Sequence, residues 1–131
     1  MKVVFDTNIL VSALIFPGGQ AERALSRVIQ GKDQLFISKP IIDELLGVLA
    51  RKFSRDAEAL ARVAVFLSEI AQLVKPTSRI KALRDEADNR ILDCAVTAAA
   101  DAIVSGDKAM LELKQYREVR ILSLRGYLGT D

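Results

Sequence analysis

The spacing of hydrophobic residues changes repeatedly along the chain, and each change separates a predicted strand from a predicted helix. Short apolar runs predict strands at residues 2–6, 34–38, 73–75, 102–105 and 119–122. Stretches with a helical period predict helices at residues 8–15, 21–29, 40–51, 56–72, 88–100 and 108–113, and a closing turn at 124–128. Strands that alternate with helices are typical of a parallel sheet. We therefore predict a three-layer α/β/α fold, with helices on both faces of a central parallel sheet of four to five strands.

The polar residues 76–86 form the main break in this pattern and predict a loop that is a candidate lid. The length of 131 residues fits a single domain, which we expect to span residues 1–131. No apolar run is long enough to cross a bilayer, and the acid at position 6 comes too early for a signal peptide. We therefore expect a cytoplasmic protein with no membrane partner.

Composition adds three points to this picture. Hydrophobic residues make up 50% of the chain but aromatic residues only 5%, so the core must be aliphatic. The net charge of +2 is too balanced to indicate nucleic-acid binding by itself, and local basic patches would have to hold a polyanion. Cys94 is the single cysteine, which excludes an internal disulfide, and its Ala/Val-rich surroundings predict a buried side chain.

Two acidic residues follow predicted strands. Asp6 comes directly after the run Val3-Val4-Phe5, and Asp107 follows the strand at residues 102–105 and Gly106. The carboxyl ends of parallel strands meet at one edge of the sheet, where open α/β folds bind ligands. We expect Asp6 and Asp107 to lie close together there, although both also have the residue type of a helix N-cap.

Helical phase directs two further acids toward the same edge. At about 100° per residue, Glu44 falls at the border of the apolar stripe of its helix, and Asp43 points well outside it. Asp88 lies in line with the apolar direction of its helix, whereas Asp93 lies on the outer side, where we expect a surface charge. Glu44 and Asp88 are each also compatible with a solvated helix charge.

Asp6, Glu44, Asp88 and Asp107 together predict a cation site. Four neighbouring carboxylates repel one another and bind protons more tightly unless cations compensate their charge. Mg²⁺ and Mn²⁺ prefer such oxygen ligands, and one or two of these ions would neutralise the cluster. Helix capping alone would not predict acids after both strands with two helix-borne acids between them.

Four motifs contain these acids: Val3-Val4-Phe5-Asp6-Thr7-Asn8, Asp43-Glu44-Leu45-Leu46, Asp88-Asn89-Arg90-Ile91-Leu92 and Ala102-Ile103-Val104-Ser105-Gly106-Asp107. In order and spacing they resemble the PIN-domain nucleases (PilT N-terminus), in particular the toxin components of type II toxin–antitoxin pairs. The resemblance covers nearly the whole chain. It is specific as a set, whereas Asp-Thr-Asn alone would be a weak signal.

The resemblance implies an endoribonuclease that depends on Mg²⁺ or Mn²⁺ and cleaves single-stranded RNA. It also implies a cognate antitoxin as partner and a homodimer. Asp6, Glu44, Asp88 and Asp107 stand at the metal-binding catalytic positions of the family, with Asn8 and Ser105 as polar helpers. Many family members carry the third acid nearer the middle of its helix, which keeps Asp93 as a second candidate for that position.

The mechanism that follows is metal-assisted phosphodiester hydrolysis without a protein nucleophile, with Arg51, Lys52 and Lys108 as phosphate contacts. A haloacid-dehalogenase-type phosphatase would need a second Asp two positions after Asp6, where Asn8 stands. A response-regulator receiver would need paired acids after its first strand. The remaining alternative is a non-catalytic RNA- or protein-binding module on the same fold, and magnesium-dependent cleavage of single-stranded RNA separates the two.

Overall fold

The computed structural model describes residues 1–130, which form six strands and seven helices. The strands are β1 (Lys2–Phe5), β2 (Gln34–Ser38), β3 (Ala71–Val74), β4 (Ala102–Val104), β5 (Gln115–Tyr116) and β6 (Val119–Leu122). The helices are α1 (Thr7–Ile15), α2 (Gln20–Ile29), α3 (Lys39–Phe53), α4 (Ala57–Ile70), α5 (Glu86–Ala98), α6 (Lys108–Leu113) and α7 (Leu124–Leu128). Within this range no helix has the length and hydrophobicity needed to span a membrane.

The strands form one sheet in the order β3-β2-β1-β4-β6-β5, and all neighbours are parallel except β5 and β6. β1 is central, because Val4 pairs with Phe36 of β2 on one side and with Ile103 of β4 on the other. Consecutive side chains of a strand point to opposite faces, and Val3, Val4 and Phe5 are all buried. Both faces of the sheet are therefore covered, and the predicted α/β class with a central parallel sheet is confirmed.

The sheet has one strand more than predicted, because Gln115–Tyr116 pairs antiparallel with β6. Lys114 and Arg117, which flank it, have positive φ values of 60° and 53°, and they turn the chain back on itself. A strand of two residues has no alternation of apolar and polar positions, so it gives no periodic signal. The predicted parallel sheet of four to five strands is confirmed by β3, β2, β1, β4 and β6, and β5 is an unpredicted antiparallel addition at one edge.

Helix α5 begins at Glu86, two residues before the predicted start at Asp88. Asp85 is its N-cap, and the Asp85 carboxylate accepts the backbone N–H of Ala87 at 2.8 Å. Acidic side chains in a first helical turn are favoured by the helix dipole. The segment before α5 therefore ends at the N-cap Asp85, and Glu86 is the first helical residue.

The segment 75–85 before α5 lacks regular structure, as predicted, but it is bound to α5. The Asn89 side chain accepts the N–H of Leu83 at 2.8 Å and donates to the Leu83 carbonyl at 2.8 Å. Ile80 is buried and donates its N–H to the Asp93 carboxylate at 2.7 Å. This segment is held against α5 and does not form an open lid.

At the amino ends of the parallel strands, Asp33 connects the first residue of the chain with α2 and α7. Its carboxylate accepts hydrogen bonds from the Met1 amino group at 2.6 Å, from Arg27 Nε at 2.8 Å and from the Tyr127 hydroxyl. Burial alone would raise the pKa of Asp33, but these donors outweigh it and lower the pKa to about 2. Tyr127 also packs edge-on against Phe5, with ring centroids 5.7 Å apart.

Candidate active site

Asp6 lies directly after β1 and Ser105 directly after β4, and these neighbouring strand ends bring the two side chains together. The Ser105 hydroxyl donates a hydrogen bond to Asp6 Oδ2 at 2.6 Å and accepts the backbone N–H of Asp107 at 3.0 Å. Burial raises the pKa of Asp6, the hydrogen bond from Ser105 lowers it, and the charge of Asp107 raises it again. Asp6 and Asp107 are thus neighbours at the carboxyl edge of the sheet.

Asp6 and Asp107 are also the N-caps of α1 and α6. Each therefore caps a helix and belongs to the group of acids. Asp107 Oδ2 accepts the N–H of Met110 at 3.0 Å in the first turn of α6. Asp6 Oδ1 accepts the N–H of Asn8 at 3.4 Å at the start of α1. Asn8 is exposed, and its contact with Asp6 is made through its backbone. The Asn8 side chain is therefore exposed next to Asp6.

Asp88, in the first turn of α5, is buried and faces the strand-end acids. Burial is the main cause that raises the pKa of Asp88 to about 7, and the charges of Asp107, Asp6 and Asp85 add to the rise. The close approach of the Asp107 carboxyl group contributes as well. Asp88 therefore belongs to the same group of acids as Asp6 and Asp107.

Glu44 of α3 is the fourth of the predicted acids in this group. Burial raises the pKa of Glu44, the charges of Asp6 and Asp85 raise it further, and the positive charge of Arg51 opposes them. Gly47 lies between Glu44 and Arg51 in the same row of the helix. A Cβ added at Gly47 would stand only 2.8 Å from Arg51 Nη1. The Arg51 guanidinium therefore lies along the helix over Gly47, on the side of the acids.

Asp85 is a fifth acid of the site that the sequence did not suggest. It is exposed, and its charge raises the pKa of both Glu44 and Asp88. Asp85 stands three residues before Asp88, a spacing that puts two side chains on one face of a helix. This signal was hidden because the predicted helix began at Asp88.

Asp93 is buried, and the expectation of a surface charge was wrong. Asp93 is only 3% exposed. One carboxylate oxygen accepts the Ile80 N–H at 2.7 Å, and the other lies 3.1 Å from Arg90 Nε. Arg90 in turn donates to the Ile80 carbonyl at 2.7 Å. Asp93 thus fastens the segment 75–85 to α5, because that segment covers the face of the helix that phase alone would assign to solvent.

The donor set fits a hard divalent cation in its chemistry. All five acids present carboxylate oxygens, which Mg²⁺ and Mn²⁺ prefer. The pKa values of Asp6, Glu44 and Asp88 are raised first by burial and then by neighbouring carboxylates, whose negative charge a cation would offset. In residues 1–130, however, no three acidic or cysteine side chains are arranged around one point as the ligands of a single ion. The acids are gathered at one edge without forming a finished coordination shell.

Comparison with known proteins identifies the family. The family described as "PIN domain" matches residues 2–109, so the chain belongs to the PIN domain family. The uncharacterized protein MJ1680 of Methanocaldococcus jannaschii is 29% identical over 118 residues, which cover 87% of this chain and 76% of that protein. The resemblance inferred from the acidic motifs is thereby confirmed at the level of the family.

Solved structures agree in fold. VapBC2 from Rickettsia felis, bound to a DNA fragment from their promoter, matches with a TM-score of 0.67 and 16% identity over 94% of this chain and 98% of that chain. VapBC-1 from nontypeable Haemophilus influenzae matches with a TM-score of 0.66 and 16% identity over 95% and 99%. FitAcB from Neisseria gonorrhoeae matches with a TM-score of 0.58 and 15% identity over 94% and 98%. These likenesses extend over almost the entire fold.

Proposed function

We propose that the chain is a metal-dependent endoribonuclease that cleaves single-stranded RNA and serves as the toxin of a type II toxin–antitoxin pair. The observation that carries this proposal is the group of acids at the carboxyl edge of the sheet, in which Asp6 and Asp88 are buried and have raised pKa values. Burying carboxylates beside one another is unfavourable, and strongly perturbed pKa values cluster at functional sites. Membership of the PIN domain family, whose members are generally nucleases, supports the same conclusion.

Each acid has a defined part in this proposal. Asp6, Glu44, Asp88 and Asp107 would hold one or two Mg²⁺ or Mn²⁺ ions. When bound, such ions supply an activated water and neutralise charge on the phosphate that is cut. Ser105 fixes the orientation of the Asp6 carboxylate through its 2.6 Å hydrogen bond. No side chain is needed as a nucleophile.

Exposed basic residues on α3 and α6 support a polyanionic substrate. Arg51, Lys52 and Lys108 are exposed, and Arg51 is close enough to Glu44 to lower its pKa. Contacts between such cations and phosphates give affinity without reading the base sequence. The choice of single-stranded RNA as the substrate rests on the family resemblance.

An antitoxin is the partner that the structural relatives suggest, since VapBC2, VapBC-1 and FitAcB are toxin–antitoxin proteins. A cleft of about 450 Å³ lies between α1, α3 and α4. Its residues are mainly apolar with two arginines: Leu14, Ile15, Val63, Phe66, Arg55 and Arg62. Apolar surface of this kind commonly marks a protein-binding site, and the arginines suit an acidic partner segment. We also propose that the protein forms a homodimer in the cytoplasm. Sedimentation equilibrium would measure the mass of this dimer.

The proposed activity is tested with purified protein and a panel of single-stranded RNAs, with matched duplexes as controls. We expect endonucleolytic cleavage of single strands in Mg²⁺ or Mn²⁺, none in EDTA, and growth arrest when the chain is expressed alone in cells. RNA binding without cleavage under every metal condition would instead favour the non-catalytic binding module. Cleavage that persists in EDTA would contradict metal dependence.

A further inference from the structure

A pocket of about 500 Å³ lies at the same edge of the sheet as the acids, but over the neighbouring strands β2 and β3. Its walls come from the end of β2, the first turn of α3, the end of β3 with the following segment, and α5. Most of the lining is apolar, with Ile42, Leu73 and Pro76 among its residues. The roles proposed for the acids leave this pocket without a function.

Ser38, one of the residues that line this pocket, carries a hydroxyl group without a hydrogen-bond partner in the described part of the chain. Ser38 is completely buried at the end of β2 and is the N-cap residue of α3, yet its side chain makes no capping hydrogen bond. Its hydroxyl has no hydrogen-bond partner within residues 1–130. Its polar neighbour is Cys94, whose pKa is raised by burial to about 12 while Ser38 opposes that rise, and a thiol is only a weak partner. Leaving a buried hydroxyl unpaired costs free energy, so a ligand atom that pairs with it has a direct advantage.

Cationic residues outnumber acidic ones in the lining of this pocket. The pocket is lined by four cationic residues and one acid: Lys39, Lys75, Arg79, Arg90 and Asp93. Asp93 is already engaged with Arg90. The pairs of Lys39 with Asp43 and of Arg79 with Glu86 are exposed, and exposed pairs are easily exchanged.

Two further features of the pocket favour the binding of an anion. Lys75 is exposed and has no acidic partner in the described part of the chain. The N-terminus of α3, a helix of 15 residues, also opens here without an acidic residue in its first turn. A helix N-terminus attracts anions through its free N–H groups and its dipole.

We propose that this pocket binds one nucleotide of the RNA, adjacent to the nucleotide that is cut. Its phosphate would be held by Ser38, the N-terminus of α3 and Lys75, and its base and ribose would pack on Ile42, Leu73 and Pro76. The volume and apolar walls exceed what a bare phosphate requires. Adjacent strands are about 4.8 Å apart, so the end of β2 stands next to Asp6 at the end of β1. The place of this nucleotide within a substrate strand rests on the proposed function, whereas nucleotide binding does not.

The test uses the full chain with Asp6→Asn to prevent cleavage, titrated by calorimetry with each of the four ribonucleoside 5′-monophosphates and with inorganic phosphate. Ser38→Ala and Lys75→Ala should each weaken nucleotide binding about tenfold, the usual worth of a hydrogen bond or contact to a charged group. Lys81→Ala is the matched control, because Lys81 is exposed on the same segment outside this pocket. Ser38→Ala should keep or raise the melting temperature, since its hydroxyl has no partner to lose.

The same three substitutions in the active chain separate this proposal from the proposed function. Ser38→Ala and Lys75→Ala should raise KM for RNA about tenfold with little change in kcat, as expected for lost ground-state binding, and Lys81→Ala should not. Unchanged KM and unchanged nucleotide binding in both variants would overturn the pocket proposal and leave the nuclease intact. If the chain cleaves no RNA, the nuclease fails and the titrations alone decide the pocket. Inorganic phosphate that binds as tightly as the nucleotides would overturn the nucleotide assignment.

Discussion

Replacing Asp93 by alanine should lower the stability of the fold while leaving the four candidate metal ligands unchanged. The Asp93 carboxylate is buried, accepts the Ile80 N–H at 2.7 Å and lies 3.1 Å from Arg90 Nε. Within residues 1–130, Arg90 Nε and Nη1 are buried and make no hydrogen bond. Asp93 is the nearer and more buried of their two counter-ions, because the exposed Glu86 lies 4.0 Å from Nη1. Asp93→Ala removes both contacts at once. It leaves the Ile80 N–H unpaired and leaves the Arg90 guanidinium with only the 4.0 Å contact to the exposed Glu86 as an ion pair.

The size of the effect follows from that geometry. Breaking a buried ion pair by removing one partner costs about 3–5 kcal/mol, and a single domain is stable by only about 5–15 kcal/mol. With a urea slope of about 2 kcal/mol per M, the unfolding midpoint of Asp93→Ala should fall by about 2 M. Helical phase alone predicts the opposite, namely a variant that folds and cleaves RNA nearly as well as the original chain.

Urea unfolding followed by far-ultraviolet circular dichroism measures this shift. Asp93→Asn is the matched variant, because its side-chain oxygen still accepts the Ile80 N–H, and it should lose less stability than Asp93→Ala. Asp88→Asn should lose no stability at pH 8, since burial and the neighbouring acids raise the pKa of Asp88 to about 7 and so disfavour its charged form. A midpoint for Asp93→Ala within about 0.5 M of the original chain would refute the structural role.

Three further outcomes follow from the structure. Mg²⁺ or Mn²⁺ should raise the melting temperature by mass action, and this rise should vanish in the double variant Asp6→Asn/Asp107→Asn; an unchanged rise would put the metal elsewhere. Asp33 has a pKa lowered to about 2, so Asp33→Asn should cost about 2 kcal/mol of unfolding free energy above pH 4. That difference should disappear between about pH 4 and pH 2, and pH-independent destabilisation would contradict the ionic origin. Gly47→Ala should add up to about 1 kcal/mol of stability yet weaken RNA binding by displacing Arg51, which filter binding would detect.

The elements could be predicted from the sequence wherever periodicity was strong. β1 reads as an uninterrupted buried run because both faces of the sheet are covered, and α3 and α4 carry clear apolar stripes. β5 was missed because two residues have no period. The start of α5 was misplaced because Asp85 and Glu86 are as compatible with a polar loop as with a capped first turn.

In the candidate site, too, some residues could be predicted from the sequence and others could not. Asp6 and Asp107 could be paired from sequence, because parallel strands fix which ends meet. Asp93 was misassigned because helical phase assumes that the face away from the sheet meets water, whereas residues 75–85 cover that face. A contact between a loop and a helix leaves no periodic trace, so neither the anchoring of Ile80 by Asp93 nor the part played by Asp85 could be read from the chain.

The most direct test of the central claim compares the original chain with Asp6→Asn in RNA binding and RNA cleavage. Asn has nearly the shape of Asp and caps a helix as well, but it lacks the negative charge that a hard divalent cation requires. We expect Asp6→Asn to fold, to bind single-stranded RNA with an affinity that weakens as salt rises, and to cleave none of it in Mg²⁺ or Mn²⁺. Cleavage by purified Asp6→Asn at the original rate, with contaminating ribonuclease excluded, would contradict the assignment of the acids as a metal-dependent nuclease site.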